Sequence, residues 1–315
     1  MIVRFGLDAL PAVLGEAGVS RPFVVASDRW RRFDVPHEAW WSEVPSHRVA
    51  VSPSADGILG IGGGSAIDTA KAASAASGLP LVSIPTTYSG AEWTTSFGVR
   101  SPDRRMQGGG AGAHPVGIVY DVELTLALPR DVTAGTAMNA LAHTAEALYV
   151  RDRTDEGDVE ALAGAPLIAA ALPLVLDDGP DRAARTELLI GAMHAGHALG
   201  IAGLGLAHAM AQAVGGRYGL PHGAMNAICL PPALQFNREA VPEAVSRFGE
   251  AIGGDAVERT RELARLGGFE RLRDFGVPAG ELAELADAAA TRGGNAMNPR
   301  VATPEEIRVL FESVW

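Results

Sequence analysis

The stretch from Gly57 to Lys71, GILGIGGGSAIDTAK, decides the fold of this chain. Its apolar first half is typical of a strand covered on both faces in a parallel sheet, and a helix begins directly after the glycines. Glycines let the backbone approach a diphosphate closely, and the first N–H groups of the next helix attract an anion. The turn of Gly62, Gly63, Gly64 and Ser65 is therefore predicted to bind a dinucleotide, with Ser65 capping the helix and donating to phosphate.

A second polar turn supports this interpretation. Strand–glycine–helix turns also occur for packing alone, and this one lacks the G-x-G-x-x-G spacing of Rossmann folds. However, Thr86, Thr87 and Ser89 follow the apolar run 81–84. Ligands of open α/β sheets bind at the carboxyl ends of such strands. These three residues are therefore predicted to bind the dinucleotide together with the glycine turn.

The choice between NAD and NADP stays open at this point. Asp28 follows the apolar run 22–27, and a carboxylate there would accept hydrogen bonds from the adenosine ribose, which favours NAD. Arginines follow at positions 29, 31 and 32, and they could invert that preference. The cofactor is therefore expected to be NAD or NADP.

The pattern of apolar runs divides the chain near residue 129. Strands are predicted at 22–27, 57–61, 81–84 and 117–120, with helical material such as 65–77 between them, as in βαβ units. Beyond residue 129 the sequence predicts only helices, at 131–150, 160–176, 182–214, 242–251, 255–266, 278–291 and 303–314. We therefore expect an α/β domain at 1–129 and an all-helical domain at 130–315. The glycine-rich segment 107–112 is predicted to be a mobile loop.

Composition excludes several classes of protein. The 315 residues carry a net charge of −11, which disfavours nucleic acid and anionic membranes as partners. A single cysteine, Cys229, rules out an internal disulfide and a cysteine-based zinc site. No targeting pattern is apparent at the start of the chain, so a cytoplasmic globular protein is expected. His194 and His197 are interpreted as structural, and His37, His47 and His114 as surface residues.

Four polar residues of the helical half form a candidate site. Asn139 and His143 lie four residues apart, hence on one face of a helix, and His208 and His222 follow. Together with the glycine turn, Pro-Thr-Thr at 85–87, YDVELTL at 120–126 and NALAH at 139–143, they resemble the iron-containing (group III) alcohol dehydrogenase superfamily, in the same order along nearly the whole chain. The resemblance implies the dehydroquinate synthase-like fold, with an active site in a cleft between a dinucleotide-binding domain and a helical catalytic domain.

The resemblance is strongest to the maleylacetate reductase branch. Metal-dependent members of the superfamily hold a divalent ion with an aspartate and three histidines, which correspond to Asn139, His143, His208 and His222. The amide of Asn139 removes the anionic ligand, so no metal is expected; if one binds, those four residues would hold it. Asn-Pro-Arg at 298–300 also fits this branch.

Maleylacetate reductases use NADH or NADPH to reduce the carbon–carbon double bond of 2-maleylacetate to 3-oxoadipate. The resemblance implies that His208 and His222 bind this substrate or supply the proton that accompanies hydride transfer. For the substrate's carboxylates we predict Arg217, placed in the loop between these histidines, as the partner. Arg300 is a second candidate.

The cofactor domain is predicted to be shortened. Only 33 residues separate Asp28 from Gly62, about one βα unit fewer than the resemblance implies. Exposed edges of a shortened sheet favour a homodimer. Two other functions stay open: a metal-dependent alcohol or aldehyde dehydrogenase, and a non-redox descendant that acts as a lyase, a cyclase or a dinucleotide-binding protein.

Overall fold

The computed structural model describes residues 1–46, 48–100 and 106–315, which form two compact units, Met1–Thr125 and Leu126–Trp315. The first unit is built on a parallel sheet, and the second consists of helices. The division falls four residues before the predicted boundary. The fold class is the expected one, an α/β unit followed by an all-α unit.

The sheet of the first unit has six strands, β1 (Ile2–Phe5), β2 (Pro22–Val25), β3 (Ala39–Trp41), β4 (Gly57–Gly62), β5 (Leu81–Pro85) and β8 (Pro115–Tyr120), and the unit also contains the helices α1 (Leu10–Glu16) and α2 (Gly64–Ser77). The strand order is β1-β8-β5-β4-β2-β3, and every neighbouring pair is parallel. The central strands are buried on both faces, as their continuous apolar runs predict. The four predicted strands are confirmed as β2, β4, β5 and β8, whereas β1 and β3 lie at the two edges and were not predicted.

The glycine-rich segment forms a strand, so the prediction of a loop at 107–112 was wrong for its first part. Strands β6 (Phe97–Arg100) and β7 (Met106–Gly110) pair in a separate antiparallel sheet. Glycine has low strand propensity, so the sequence pattern did not predict this strand. A methyl group on Gly110 would lie 2.8 Å from the ring of Phe97, so the missing side chain leaves room for the aromatic ring opposite.

Two connections flank the edge strand β3. Strand β2 leads to β3 through a 3₁₀ helix, Asp28–Arg32. Between β3 and β4, the described residues 42–46 and 48–56 contain no helix. The described parts of these two connections therefore contain no α-helix, and the shortening relative to the family stays a prediction.

The second unit contains α3 (Arg130–Ala147), α4 (Asp155–Asp177), α5 (Arg182–Ala202), α6 (Leu206–Tyr218), α7 (His222–Asn237), α8 (Pro242–Ala251), α9 (Ala256–Leu266), α10 (Leu282–Ala290), α11 (Gly293–Met297) and α12 (Pro304–Ser313). The predicted helix 182–214 is in fact two helices, bent by 99° at a break where Gly203 has a φ of +84°. Helix α7 was not predicted, because two internal prolines, Pro231 and Pro232, argue against a helix.

Helix α4 satisfies length and composition criteria for a membrane span, and the bent pair α5 and α6 satisfies them if counted as one span. Half of the apolar window of α4 is buried inside the structure. Core helices of soluble proteins meet the same criteria, so this observation is weak support for a membrane location.

Candidate active site

Helix α3 carries three polar residues on one face of an otherwise alanine-rich, buried segment. Asn139, His143 and Glu146 are spaced by four and three residues, which places them above one another along the helix. All three are buried, and Glu146 is fully so. Buried polar groups need hydrogen-bond partners, which here come from the neighbouring helices α6 and α7.

The first turns of α6 and α7 supply the other two histidines. The break after α5 places His208 in the first turn of α6, and His222 is the first residue of α7. Gly223 next to it allows close packing, because a methyl group there would overlap the carbonyl oxygen of Gly135 on α3. The chain therefore brings three helices together at the point where the histidines meet.

The four residues singled out from the sequence lie together. The rings of His143 and His208 stack with centroids 4.8 Å apart, and those of His208 and His222 are 5.6 Å apart. Asn139 lies between them, with its Nδ2 3.4 Å from His143 Nε2 and its Oδ1 3.3 Å from His208 Nε2. We call these four residues the histidine cluster.

Glu146 is part of this site, although it was not predicted from the sequence. One of its oxygens lies 2.6 Å from His208 Nδ1 and accepts a hydrogen bond of 2.7 Å from the backbone N–H of Gly205, while the other accepts from the backbone N–H of His208 at 3.2 Å. The bond to Nδ1 fixes the ring so that Nε2 faces Asn139. A carboxylate three residues after His143, on the same helix face, was the available signal.

Asn226 is a second unpredicted member. Its Nδ2 donates to Asn139 Oδ1 over 2.7 Å and lies 3.0 Å from His222 Nε2. Its own Oδ1 is buried and has no hydrogen-bond partner among the residues that the structure describes. The spacing of four residues from His222, one helical turn, could have indicated it.

The surroundings of His143 favour the uncharged form of its imidazole ring. Burial lowers the pKa of His143 well below its usual value, and the neighbouring His208 and His222 lower that pKa further. The ring is therefore neutral at neutral pH. Its Nδ1 is also buried without a hydrogen-bond partner within the described part of the chain.

The histidine cluster contains no anionic oxygen donor. Its only oxygen ligand is the neutral amide of Asn139, and that oxygen already accepts a hydrogen bond from Asn226. Within 1–46, 48–100 and 106–315, no group of three His, Cys, Asp or Glu side chains is arranged to hold a metal. The Nε2 atoms of His143 and His208 both lie within hydrogen-bonding distance of the Asn139 amide, so the arrangement suits hydrogen bonding and proton transfer.

The predicted carboxylate partner, Arg217, is placed differently from the expectation. It lies in the last turn of α6 rather than in a loop, and its guanidinium bonds to Glu281 at 2.6 Å and to Glu284 at 2.7 Å. Two carboxylates therefore already engage its Nε and one of its terminal nitrogens. Arg300 is engaged as well: it lies over the ring of Phe236, 3.7 Å from the centroid, and pairs with Glu306.

In the first unit the glycine turn and the polar turn after β5 are in contact. The N–H of Thr86 donates to the carbonyl oxygen of Gly62 over 2.9 Å, and a methyl group on Gly63 would lie 2.9 Å from Thr87 Cγ2. Both threonines are buried, and their hydroxyl oxygens have no hydrogen-bond partner among the described residues. Two orphaned hydroxyls beside a glycine turn indicate a site for a polar ligand.

The start of α2 is open towards this ligand site. Gly63 is the N-cap and no side chain caps the helix, so the prediction that Ser65 caps it was wrong. Ser65 is exposed in the first turn of the helix. Gly64 packs closely against Ser89, because a methyl group placed on Gly64 would lie 3.3 Å from the hydroxyl oxygen of Ser89. An uncapped helix N-terminus leaves N–H groups available to a phosphate.

The remaining histidines divide into two groups. His194 and His197 of α5 share Glu160 of α4, whose oxygens lie 2.7 Å and 3.3 Å from the two Nδ1 atoms, so a partner exists that the sequence spacing did not reveal. The expectation of surface positions is confirmed for His37 and His114, which are exposed. His47, like residues 101–105, lies outside the described residues.

Comparison with known proteins identifies the family of this chain. Residues 133–315 match the C-terminal model of the Fe-containing alcohol dehydrogenase family, and residues 41–121 match the iron-containing alcohol dehydrogenase model. The maleylacetate reductase of Burkholderia cepacia is 37% identical over 263 residues, covering 83% of this chain and 74% of the relative. Maleylacetate reductase 1 of Rhodococcus opacus is 35% identical, covering 83% and 73%.

Solved structures show the same fold over the full length. The crystal structure of maleylacetate reductase from Agrobacterium tumefaciens superposes with a TM-score of 0.88 at 27% identity, covering 100% of this chain and 95% of that one. The resemblance inferred from the glycine turn and the histidines is therefore confirmed. The chain belongs to the iron-containing alcohol dehydrogenase family, in the branch of the maleylacetate reductases.

Proposed function

We propose that this chain is an NAD(P)H-dependent oxidoreductase that reduces the carbon–carbon double bond of maleylacetate, or of a closely related unsaturated keto acid. The histidine cluster carries this proposal, because it places Asn139 between three imidazole rings in a chain that is 37% identical to a maleylacetate reductase. The alternative of an alcohol dehydrogenase would use a metal held by an acidic residue, and the amide of Asn139 argues against it.

The first unit supplies the dinucleotide site in this proposal. The N–H groups at the start of α2 bind the diphosphate. Gly63 and Gly64 have no side chains, so the backbone of the turn can approach the diphosphate closely. The unpartnered hydroxyls of Thr86 and Thr87 donate to the bound cofactor. When bound, the reduced nicotinamide supplies the hydride.

The histidine cluster supplies the proton and holds the substrate. Reduction of the double bond adds a hydride to one alkene carbon and a proton to its neighbour, and the ketone takes up electron density between these events. His208 or His222 donates the proton from Nε2, with His208 held in orientation by Glu146. The buried Oδ1 of Asn226, which has no partner among the described residues, is available to accept a hydrogen bond from the substrate, and the neutral ring of His143 forms one wall of the site.

We further propose that turnover does not require a tightly held metal. The neutral oxygen of Asn139 in the acidic position, and its hydrogen bond from Asn226, support this. Turnover that persists after chelation is the expected result. A single firmly bound iron or zinc per chain, whose removal abolishes turnover, would contradict it.

A homodimer is the proposed assembly. Strand β1 is the edge of the sheet, with one side unpaired by the described residues, and Phe5 at its end is 50% exposed. Exposed edge strands of this kind pair readily with a second copy. A monomer by light scattering at micromolar concentration would overturn this assembly.

The function is tested by mixing purified protein, maleylacetate and either reduced dinucleotide. Oxidation of the cofactor with formation of 3-oxoadipate is expected, and His222→Ala should abolish it while leaving dinucleotide binding intact. Full turnover in His222→Ala would show that the histidine cluster is not the catalytic site. Failure of the wild-type protein to bind either dinucleotide at millimolar concentration would overturn the reductase proposal itself.

A further inference from the structure

The segment after β2 lies beside the glycine turn. Strand β2 pairs with β4, with Val25 opposite Gly60, and the 3₁₀ helix Asp28–Arg32 follows directly. A methyl group on Gly62 would lie 3.9 Å from Nε1 of Trp30. The side chain of Trp30 in this short helix is therefore next to the turn that, in the proposed function, binds the diphosphate.

Residues in this position determine which dinucleotide binds in folds of this kind. A carboxylate hydrogen-bonds the 2′-hydroxyl of NAD, whereas an arginine accommodates the 2′-phosphate of NADP. This chain carries both, with one carboxylate at Asp28 and three guanidinium groups at Arg29, Arg31 and Arg32. The balance of charge within the segment therefore decides its preference.

The charge of Asp28 is compensated within the segment. Its Oδ1 accepts a hydrogen bond of 2.8 Å from Nε of Arg31, and the two side chains are 68% and 49% exposed. An exposed ion pair is weak, so a phosphate, with its larger charge, can replace the carboxylate at Arg31. Asp28 is thus a poor barrier to a 2′-phosphate.

Arg29 and Arg32 are held in place by stacking, which leaves their N–H groups available. The guanidinium of Arg29 lies 4.7 Å from the ring centroid of the buried Trp30, and that of Arg32 lies 5.5 Å from it. Arg31 stacks on Trp40 at 4.7 Å. Within the described residues, neither Arg29 nor Arg32 has a carboxylate partner. Stacking orients a planar guanidinium while its N–H edge stays available to an anion.

We propose that Arg29, Arg31 and Arg32 bind the 2′-phosphate of NADPH, so that this protein selects NADPH over NADH. This inference rests on the proposed function, because it assumes that the glycine turn holds the diphosphate of the reductant. The three arginines determine specificity and take no part in hydride transfer.

Direct binding measurements test the proposal. The dissociation constants of NADPH and NADH are compared by fluorescence titration of the purified wild-type protein, the double variant Arg29→Gln/Arg32→Gln, and a control, Arg21→Gln. The control removes one exposed arginine just before the same strand β2, at its opposite end. Thermal unfolding verifies that each variant is folded.

We expect the wild-type protein to bind NADPH at least about 10-fold more tightly than NADH, as charge-assisted hydrogen bonds to a phosphate provide. The double variant should lose about 10- to 100-fold in NADPH affinity and should keep its NADH affinity, while the control changes neither. Adenosine 2′-monophosphate should compete with NADPH for the wild-type protein more effectively than adenosine 5′-monophosphate does.

The outcomes separate this inference from the proposed function. Equal or tighter binding of NADH by the wild-type protein, with turnover intact, overturns the inference alone. A double variant that loses NADH and NADPH affinity equally, or a control that loses as much, also overturns it. A wild-type protein that binds neither dinucleotide overturns the proposed function and the inference together.

Discussion

Replacement of Glu146 is the most informative perturbation of the histidine cluster. Its carboxylate is fully buried and is the acceptor for three N–H groups, those of Gly205 and His208 on the backbone and Nδ1 of the His208 ring. Glu146→Ala leaves all three without an acceptor. Breaking a buried pair of this kind costs about 3–5 kcal/mol in the free energy of unfolding.

Glu146→Gln is the more useful variant, because it preserves shape. The amide oxygen still accepts from one side, but its NH₂ group faces one of the donors, and we expect a loss of about 1–3 kcal/mol in unfolding free energy. The bond to Nδ1 of His208, which orients Nε2, is then made to a neutral oxygen and is weaker than the charge-assisted bond to Glu146. We therefore expect kcat to fall about 100-fold, the lower range for a misplaced general acid. Affinity for the dinucleotide should not change, because the glycine turn lies in the other unit.

The assay combines steady-state kinetics, dinucleotide titration and urea unfolding. Glu160→Gln is the matched control, since this glutamate also binds a histidine Nδ1 at 2.7 Å in the same unit but outside the cluster. It should keep its kcat. Glu146→Gln with wild-type kcat would refute the positioning role of Glu146, and so would a loss confined to KM. A purely structural role predicts lower stability with unchanged turnover per folded molecule.

Four further predictions concern single features of the two units. Thr86→Val and Thr87→Val should weaken dinucleotide binding about 10-fold each without lowering the stability of the free protein, since the hydroxyls have no partner among the described residues; unchanged affinity would remove them from the site. Asn139→Asp restores an anionic ligand and should increase zinc affinity at least about 10-fold by equilibrium dialysis, and no gain would contradict our explanation of the metal preference. Gly223→Ala should destabilise the protein by at least about 1–3 kcal/mol in urea unfolding, because the methyl group overlaps a carbonyl oxygen of α3, and wild-type stability would refute that packing. The free energy of unfolding should fall as the pH drops below 6.5, because His143 takes up a proton more readily in the unfolded chain than in the folded one. If the free energy of unfolding of a His143→Phe variant falls as steeply with pH, this explanation is contradicted.

The sequence predicted those features that depend on short-range pattern. Continuous apolar runs identified the buried strands, and the spacing of Asn139 and His143 placed them on one helix face. The edge strands β1 and β3 were not predicted because each is only three or four residues long and none of their residues is buried. Strand β7 has glycines where strand formers are expected, so nothing local marks it.

Contacts between distant segments could not be predicted in this way. Glu146 and His208 are 62 residues apart, and only the break between α5 and α6 turns them towards each other. Arg217 was assigned to a loop because the predicted helix ended at residue 214, and its two glutamate partners lie more than 60 residues further on. Contacts between side chains of different helices depend on how the helices pack, and this packing cannot be inferred from local sequence patterns.

The central claim is that this chain moves a hydride from a reduced nicotinamide to the double bond of maleylacetate. The most direct test uses a reduced dinucleotide that carries deuterium at the transferable position, with wild-type protein treated with a chelator, and mass spectrometry of the product. We predict 3-oxoadipate that contains a single carbon-bound deuterium. Oxidised dinucleotide without labelled 3-oxoadipate, or no reaction with either NADH or NADPH, would contradict the claim.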